Sequence, residues 1–154
     1  MIERLKQWSR MNSGTWPDSV IFYRSGICES QVAQINELEL PKIRQSFKEC
    51  GAGSTYNPKI TIITVSKRHH TRFYPTSIEH ADRTGNVTPG MVEDRVVASP
   101  HSFSFFLQSH AAVRGTGTAR PTYYEVIHDD NKFGANDIQK LVSCHCNSYM
   151  QMQR

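Results

Sequence analysis

The chain opens with apolar residues at regular intervals among charged ones. Ile2, Leu5 and Trp8 recur at every third position, with Glu3, Arg4, Lys6 and Gln7 between them. This is the pattern of an amphipathic helix. No capping residue precedes it, and Asn12-Ser13-Gly14 is the turn that stops it. Pro17-Asp18 then leads into a short apolar strand, Ser19-Val20-Ile21-Phe22-Tyr23, closed by a turn at Arg24-Ser25-Gly26. A second helix is predicted from near Ser30-Gln31, with Val32, Ile35 and Leu38 on one face. Pro41 is expected to break or kink it, and Ile43 and Phe47 carry a second segment to Cys50-Gly51. Residues 51–58 read as a loop. The β-branched run Ile60-Thr61-Ile62-Ile63-Thr64-Val65 reads as a strand buried on both faces. The order helix, strand, helix, strand signals a parallel α/β unit.

The second half is less regular. Residues 74–89 form a polar loop with turn signals at Gly85-Asn86 and Pro89-Gly90. Residues 92–98 alternate weakly between apolar and polar. Phe103, Phe105, Phe106 and Leu107 predict a strand that ends at Gln108-Ser109-His110. A glycine-containing loop, Arg114-Gly115-Thr116-Gly117-Thr118, precedes Arg120-Pro121. Residues 122–127 read as a strand closed by His128-Asp129-Asp130-Asn131. A last helix starts near Ala135, with Ile138, Leu141 and Val142 on one face.

Composition narrows the picture. One modest domain fits in 154 residues. A hydrophobic content of 38% is low for a self-sufficient globule, which points to an incomplete domain. The net charge of +4 mildly favours a polyanionic partner. Cys28, Cys50, Cys144 and Cys146 form no dense framework and read as free thiols in a reducing compartment. No apolar run approaches the roughly 20 residues of a membrane span, and Met1-Ile2-Glu3-Arg4 is no signal peptide. A cytoplasmic protein that does not engage membranes is expected.

The densest candidate chemistry follows the buried strand. Ser66-Lys67-Arg68-His69-His70-Thr71-Arg72 places fixed positive charge at a strand's carboxyl end, where open α/β sheets usually bind ligands. Lys67, Arg68 and Arg72 could grip phosphates, and His69 or His70 could donate to one. The bland alternative is a solvated charge run. Zinc is disfavoured, because neighbouring residues on extended chain point to opposite sides. His110, at another strand end, and Arg120 could extend the same anion-binding surface, or be a satisfied histidine and an exposed arginine. Asp129-Asp130 could hold Mg²⁺, but turn and helix-start chemistry is the preferred reading. On a helix, Cys144, His145 and Cys146 spread about 100° apart and cannot converge on a metal.

Taken together, these blocks resemble one family, the Argonautes, over nearly the whole chain. Ile21-Phe22-Tyr23-Arg24-Ser25-Gly26 followed by Glu29-Ser30-Gln31 looks like the Piwi-domain strand ending in Tyr-Arg-Asp-Gly. The strand followed by Lys67-Arg68-His69-His70-Thr71-Arg72 resembles the family's next block. Gly85-Asn86-Val87 with Pro89-Gly90 resembles its Gly-Asn…Pro-Gly loop. Ser109-His110-Ala111, Gly115-Thr116, Arg120-Pro121, Tyr124 and Asp129-Asp130-Asn131 resemble the block that follows.

The resemblance implies an α/β fold: an incomplete RNase H-like fold, with a mixed sheet flanked by helices. It implies a partial Piwi domain over 1–154, without the first strands and the C-terminal segment. A chain so bounded is expected to be marginally stable or to need a partner. The resemblance also implies that a small guide RNA, a target RNA and silencing-complex proteins are partners. Carried over by position, Lys67, Arg68, His70 and Arg72 are guide-phosphate contacts, and His110 and Arg120 are further ones. The loop before Arg120 is slightly longer than the family's. Tyr149 matches a residue near the guide's 5′ phosphate, and Gln151 replaces an arginine there.

Family slicers use two-metal chemistry that needs several carboxylates and a histidine. Ser25 stands at the aspartate position of the first block. The resemblance puts the other aspartate and the glutamate before Met1 and the histidine after Arg154. A guide-binding chain without slicer activity and without a cofactor is therefore expected, with Mg²⁺ relevant only to a complete site. The alternatives are a portion of an active RNA-guided endoribonuclease, or a non-catalytic interaction module or remnant.

Overall fold

The computed structural model describes residues 1–26, 31–53, 55–99, 102–112 and 117–152, without the side chains of 147–152. In chain order its elements are α1 (Ile2–Met11), β1 (Ser19–Ser25), α2 (Val32–Gln34), a π-helical segment (Ile35–Glu39), α3 (Leu40–Glu49), β2 (Lys59–Ser66), a 3₁₀ turn (Ile78–His80), β3 (Met91–Glu93), β4 (Ser104–Gln108), β5 (Thr122–Asp129) and α4 (Ala135–Met152). The five strands form one mixed sheet in the order β1-β2-β5-β4-β3.

The chain divides into two compact units. The first holds residues 1–63 and 127–132. Leu5, Ile35, Phe47, Cys50, Ile60 and Ile62 form its buried core, with Ile2 and Ile43 packed against it, whereas Trp8 and Leu38, read from the sequence as part of the same faces, are exposed. The N–H of Lys59 donates to the Asp18 carbonyl at 2.9 Å, which starts β2 beside the start of β1, as the crossover through 32–49 requires of a parallel pair. The N–H of Asp130 donates to the Ile60 carbonyl at 2.8 Å. That bond joins the beginning of β2 to the end of β5, as in an antiparallel pair.

Pro41 neither breaks the helix nor leaves it regular. The N–H of Leu40 bonds to the Ile35 carbonyl, five residues back, and α-helix resumes through Glu49. In an unbroken α-helix the proline ring would meet the carbonyl of Glu37 and leave it without a donor. The π turn ahead of the proline absorbs that mismatch. The first helix ends at Met11, where the Asn12-Ser13-Gly14 turn is expected to stop it. Two other boundaries differ from the sequence reading. β5 runs on to Asp129, and of the weakly alternating stretch 92–98 only the first two residues pair, in the strand Met91–Glu93. In β5 the extension follows from partners: the polar residues at its end are held by β2 rather than released into a turn.

Those partners form a network. The Thr61 hydroxyl donates to Asp129 Oδ1 at 2.6 Å, and Asn131 Nδ2 donates to Thr61 Oγ1 at 2.9 Å. Asp130 Oδ2 accepts from Arg44 at 2.9 Å and from the Ile60 N–H at 3.1 Å. His128 Nε2 lies 2.9 Å from Asp130 Oδ1. The carboxylates of Asp129 and Asp130 are thus spent on structure.

The second unit holds residues 64–126 and 133–154. β3 and β4 pair antiparallel with Met91 opposite Gln108, and β4 and β5 pair antiparallel with Phe105 opposite Tyr124. All five residues of β4 are buried. Phe105 stacks on Tyr124 with ring centroids 5.2 Å apart, and Phe106 meets Phe73 and Tyr123 at 5.7 and 4.9 Å. Ile138 and Val142 of α4 are almost fully buried, which accounts for the apolar face predicted there.

Burial opposes ionisation of Asp130, but the Ile60 N–H and Arg44 outweigh it and hold its carboxyl below the ordinary value. A depressed carboxyl contributes stability above its unfolded-state pKa, and that contribution fades as pH falls through the folded value. Asp130→Ala is expected to lower stability by about 1–3 kcal/mol at pH 7. The gap to the parent chain should narrow below pH 4 in denaturant titrations.

Candidate nucleic-acid interface

The cation run begins where β2 leaves the core. Thr64 is buried, Val65 and Ser66 are half-buried, and Lys67 and Arg68 are exposed. Buried positions exclude unpaired charge, so fixed charge appears only once the strand emerges. The Ser66 hydroxyl accepts the Arg68 N–H at 3.1 Å, turning the chain at that point.

The two histidines then part. The His69 ring turns inward, edge-on to Phe106 with centroids 5.1 Å apart. Its Nε2 lies 2.9 Å from the Pro121 carbonyl, which fixes the tautomer with the proton on Nε2, donating to that oxygen. Nδ1 is buried and finds no partner among the described residues. Burial pushes the pKa of His69 down, and the charges of Arg72, Arg120 and His70 add to this, against the opposing pull of the Pro121 carbonyl. His69 is therefore a neutral anchor. His70, by contrast, is exposed. Arg72 is half-buried and donates to the Thr71 carbonyl at 2.7 Å.

A cavity of about 370 Å³ opens beside this segment. Lys67 and Arg72 line it from the end of β2, Ser109 and His110 from the end of β4, and Arg120 from the segment entering β5. Three strands thus deliver charge and donors to one hollow. Among the described residues no carboxylate pairs with Lys67, Arg68, Arg72 or Arg120. Arg68 and His70 are exposed nearby in sequence but do not line the hollow. The side chains of Tyr149, Gln151 and Arg154 lie outside the described residues.

This hollow has the chemistry of a phosphate cradle: several fixed cations, histidine and serine donors, and no counter-ion among the described residues. The family model for the Piwi domain matches residues 1–154. The chain belongs to the Argonaute family, within its Piwi domain.

Rice (Oryza sativa subsp. japonica) argonaute 18 is 40% identical over the whole of this Piwi chain, and rice argonaute 1C is 39% identical. The chain spans 14% and 15% of those proteins' lengths. Among solved structures, the C-terminal lobe of a budding yeast Argonaute matches with a TM-score of 0.81 and 30% identity, over 90% of this chain and 29% of that one. Kluyveromyces polysporus Argonaute with a guide RNA matches with a TM-score of 0.82 and 31% identity, over 92% of this chain and 18% of that one. The RNase H-like character expected of the sheet agrees with these neighbours.

Ser25, at the last position of β1, is exposed. The preceding Arg24 forms a two-bond ion pair with Glu39, each bond 3.2 Å. Among the described residues no three of His, Cys, Asp or Glu come together as a metal ion would need. Cys144 and His145 are exposed on α4, while Cys146 is half-buried with its Sγ 3.4 Å from the Tyr124 hydroxyl.

Two contributors were not readable in advance. The inward role of His69 depends on a carbonyl 52 residues away. Asn86 carried a turn signal and a place in the family-like Gly-Asn…Pro-Gly loop, with no role assigned to it, yet its side chain bonds to residues 117 and 119.

Because the folded pKa of His69 lies below its unfolded value, folding is fully supported above pH 6.5 and is penalised progressively as pH falls below it. His69→Gln keeps a donor for Pro121 but cannot titrate. It should show less loss of stability between pH 6.5 and 5 than the parent chain, measured by denaturant midpoints.

Proposed function

We propose that the cation-lined hollow of this Piwi-domain chain binds the sugar-phosphate backbone of single-stranded RNA, as the guide-holding part of an RNA-silencing Argonaute, and that the chain does not cut RNA. The observation that carries the reading is the convergence of Lys67, Arg72, His110 and Arg120 on one hollow, with no carboxylate among the described residues paired to its lysine or arginines. An uncompensated set of fixed cations is relieved by a polyanion, and such contacts hold a backbone in place without reading bases. The structural likeness to an Argonaute solved with a guide RNA supports a guide strand as the ligand. Arg68 and His70, exposed on the same segment, extend the contact along the strand. A target RNA then pairs with the held guide.

The absence of cleavage rests on Ser25. A neutral hydroxyl supplies neither the charge nor the bridging oxygens that a two-metal site takes from a carboxylate. The reading assigns no metal to this chain and a cytoplasmic place of action.

Binding should be largely independent of sequence and fall steeply with salt. Lys67→Ala with Arg68→Ala should weaken binding of a short single-stranded RNA and lower the slope of log K against log salt by about 1.4, at roughly 0.7 per contact. Fluorescence anisotropy over a salt series measures both, and an unchanged slope would sink the assignment. Ser25→Asp alone should yield no Mg²⁺-dependent cleavage of a guide-matched RNA, because one added carboxylate finds no further donor cluster among the described residues.

A further inference from the structure

We infer that Asn86 is a positioning residue for Arg120, and that the turn 82–86 holds this arginine at the cation-lined hollow. The inference rests on the RNA-backbone reading of that hollow and adds a residue which does not line it.

Asn86 lies in the Gly85-Asn86-Val87 segment, a motif the phosphate contacts leave without a task. Its side chain is buried, at 5% exposure, in a loop that is otherwise largely exposed. Every polar atom of the amide is used. Oδ1 accepts the N–H of Ala119 at 2.7 Å. Nδ2 donates to the Gly117 carbonyl at 3.2 Å and to Thr84 Oγ1 at 2.8 Å. One side chain therefore pairs with a donor and an acceptor of the strip that ends in Arg120, as a neighbouring strand would. Only an amide can do both at this reach. An aspartate lacks the donor, and a serine is too short to span the two.

The clamp is itself braced. Asp82 Oδ1 accepts the Thr84 N–H at 2.8 Å, the Thr84 hydroxyl at 2.6 Å and the Asn86 N–H at 3.0 Å. The N–H of Asp82 donates to the Asn86 carbonyl at 2.7 Å. Gly85 sits at φ +77°, a conformation that favours glycine, and closes the turn.

Arg120 is thereby pinned from both sides along the backbone. The residue before it, Ala119, is buried and bonded to Asn86. The carbonyl of the residue after it, Pro121, accepts from His69. Between these two anchors the Arg120 side chain alone is exposed, at the hollow. A long, exposed arginine otherwise loses much rotamer and backbone freedom on gripping a phosphate. Fixing its backbone beforehand lowers that cost.

The test is a double-mutant cycle on the chain, with binding of a short single-stranded RNA read by anisotropy over a salt series and folding checked by denaturant unfolding. Arg120→Ala and Asn86→Ala are each expected to weaken binding about twofold to fivefold, the scale of one exposed charge contact. Asn86→Ala should cause little further loss in the Arg120→Ala background. Equal losses that multiply in the double variant would overturn the clamp, as would full affinity in either single variant. If Asn86→Ala no longer unfolds cooperatively, Asn86→Asp, which keeps an acceptor for Ala119, goes through the same cycle under the same criteria. A Lys67 and Arg68 double substitution run in parallel separates the two failures. If it leaves binding unchanged, the RNA reading itself falls and the clamp with it. If it weakens binding while the Asn86 and Arg120 losses multiply, only the clamp falls.

Discussion

Residues 60–64 of β2 meet no solvent on either face, so every polar atom they carry needs a partner inside the protein. Thr61 finds Asp129, and Thr64 reaches the Glu125 carbonyl at 3.4 Å. The Ile60 N–H takes a carboxylate oxygen of Asp130. These bonds fix β5 against β2 residue by residue, since a slip of one position would turn each threonine away from its acceptor. The same exclusion of water keeps lysine and arginine out of the strand until Lys67. The charge cluster is placed by the limit of burial as much as by the residues that form it.

Gathering Lys67, Arg72 and Arg120 without a carboxylate costs mutual repulsion, and the protein holds them by anchors that carry no charge. His69 stays neutral, wedged against Phe106 and bonded to Pro121. Asn86 supplies an amide rather than an ion. An acidic partner would have steadied the cations and also cancelled the field that attracts an anion. At the other end of β5 the opposite choice is made. There Arg44 pairs with Asp130, and His128 Nε2 lies against the same carboxylate.

Under the proposed function, holding and cutting RNA make different physical demands. Backbone contacts need only positive charge and donors on a stable frame, which this chain carries in the second unit. Two-metal cleavage needs several carboxylates at fixed separations, and on the proposed reading Ser25 stands where one of them would be required.

Much of this was legible in the residues. The β-branched run of 60–65, the apolar stripes of Ile2, Leu5, Ile35 and Phe47, and the cluster after Ser66 are local patterns, and local sterics and burial act on them directly. The resemblance to Argonautes extended that reading to His110 and Arg120. What the sequence alone could not decide depended on partners far along the chain. The π turn that accommodates Pro41, the extra residues of β5, the inward turn of His69 and the reach of Asn86 to Gly117 and Ala119 are each set by a bond or a packing contact. No local pattern encodes these, because a side chain's direction and its partner are chosen only when the folded chain leaves a buried group one way to be satisfied.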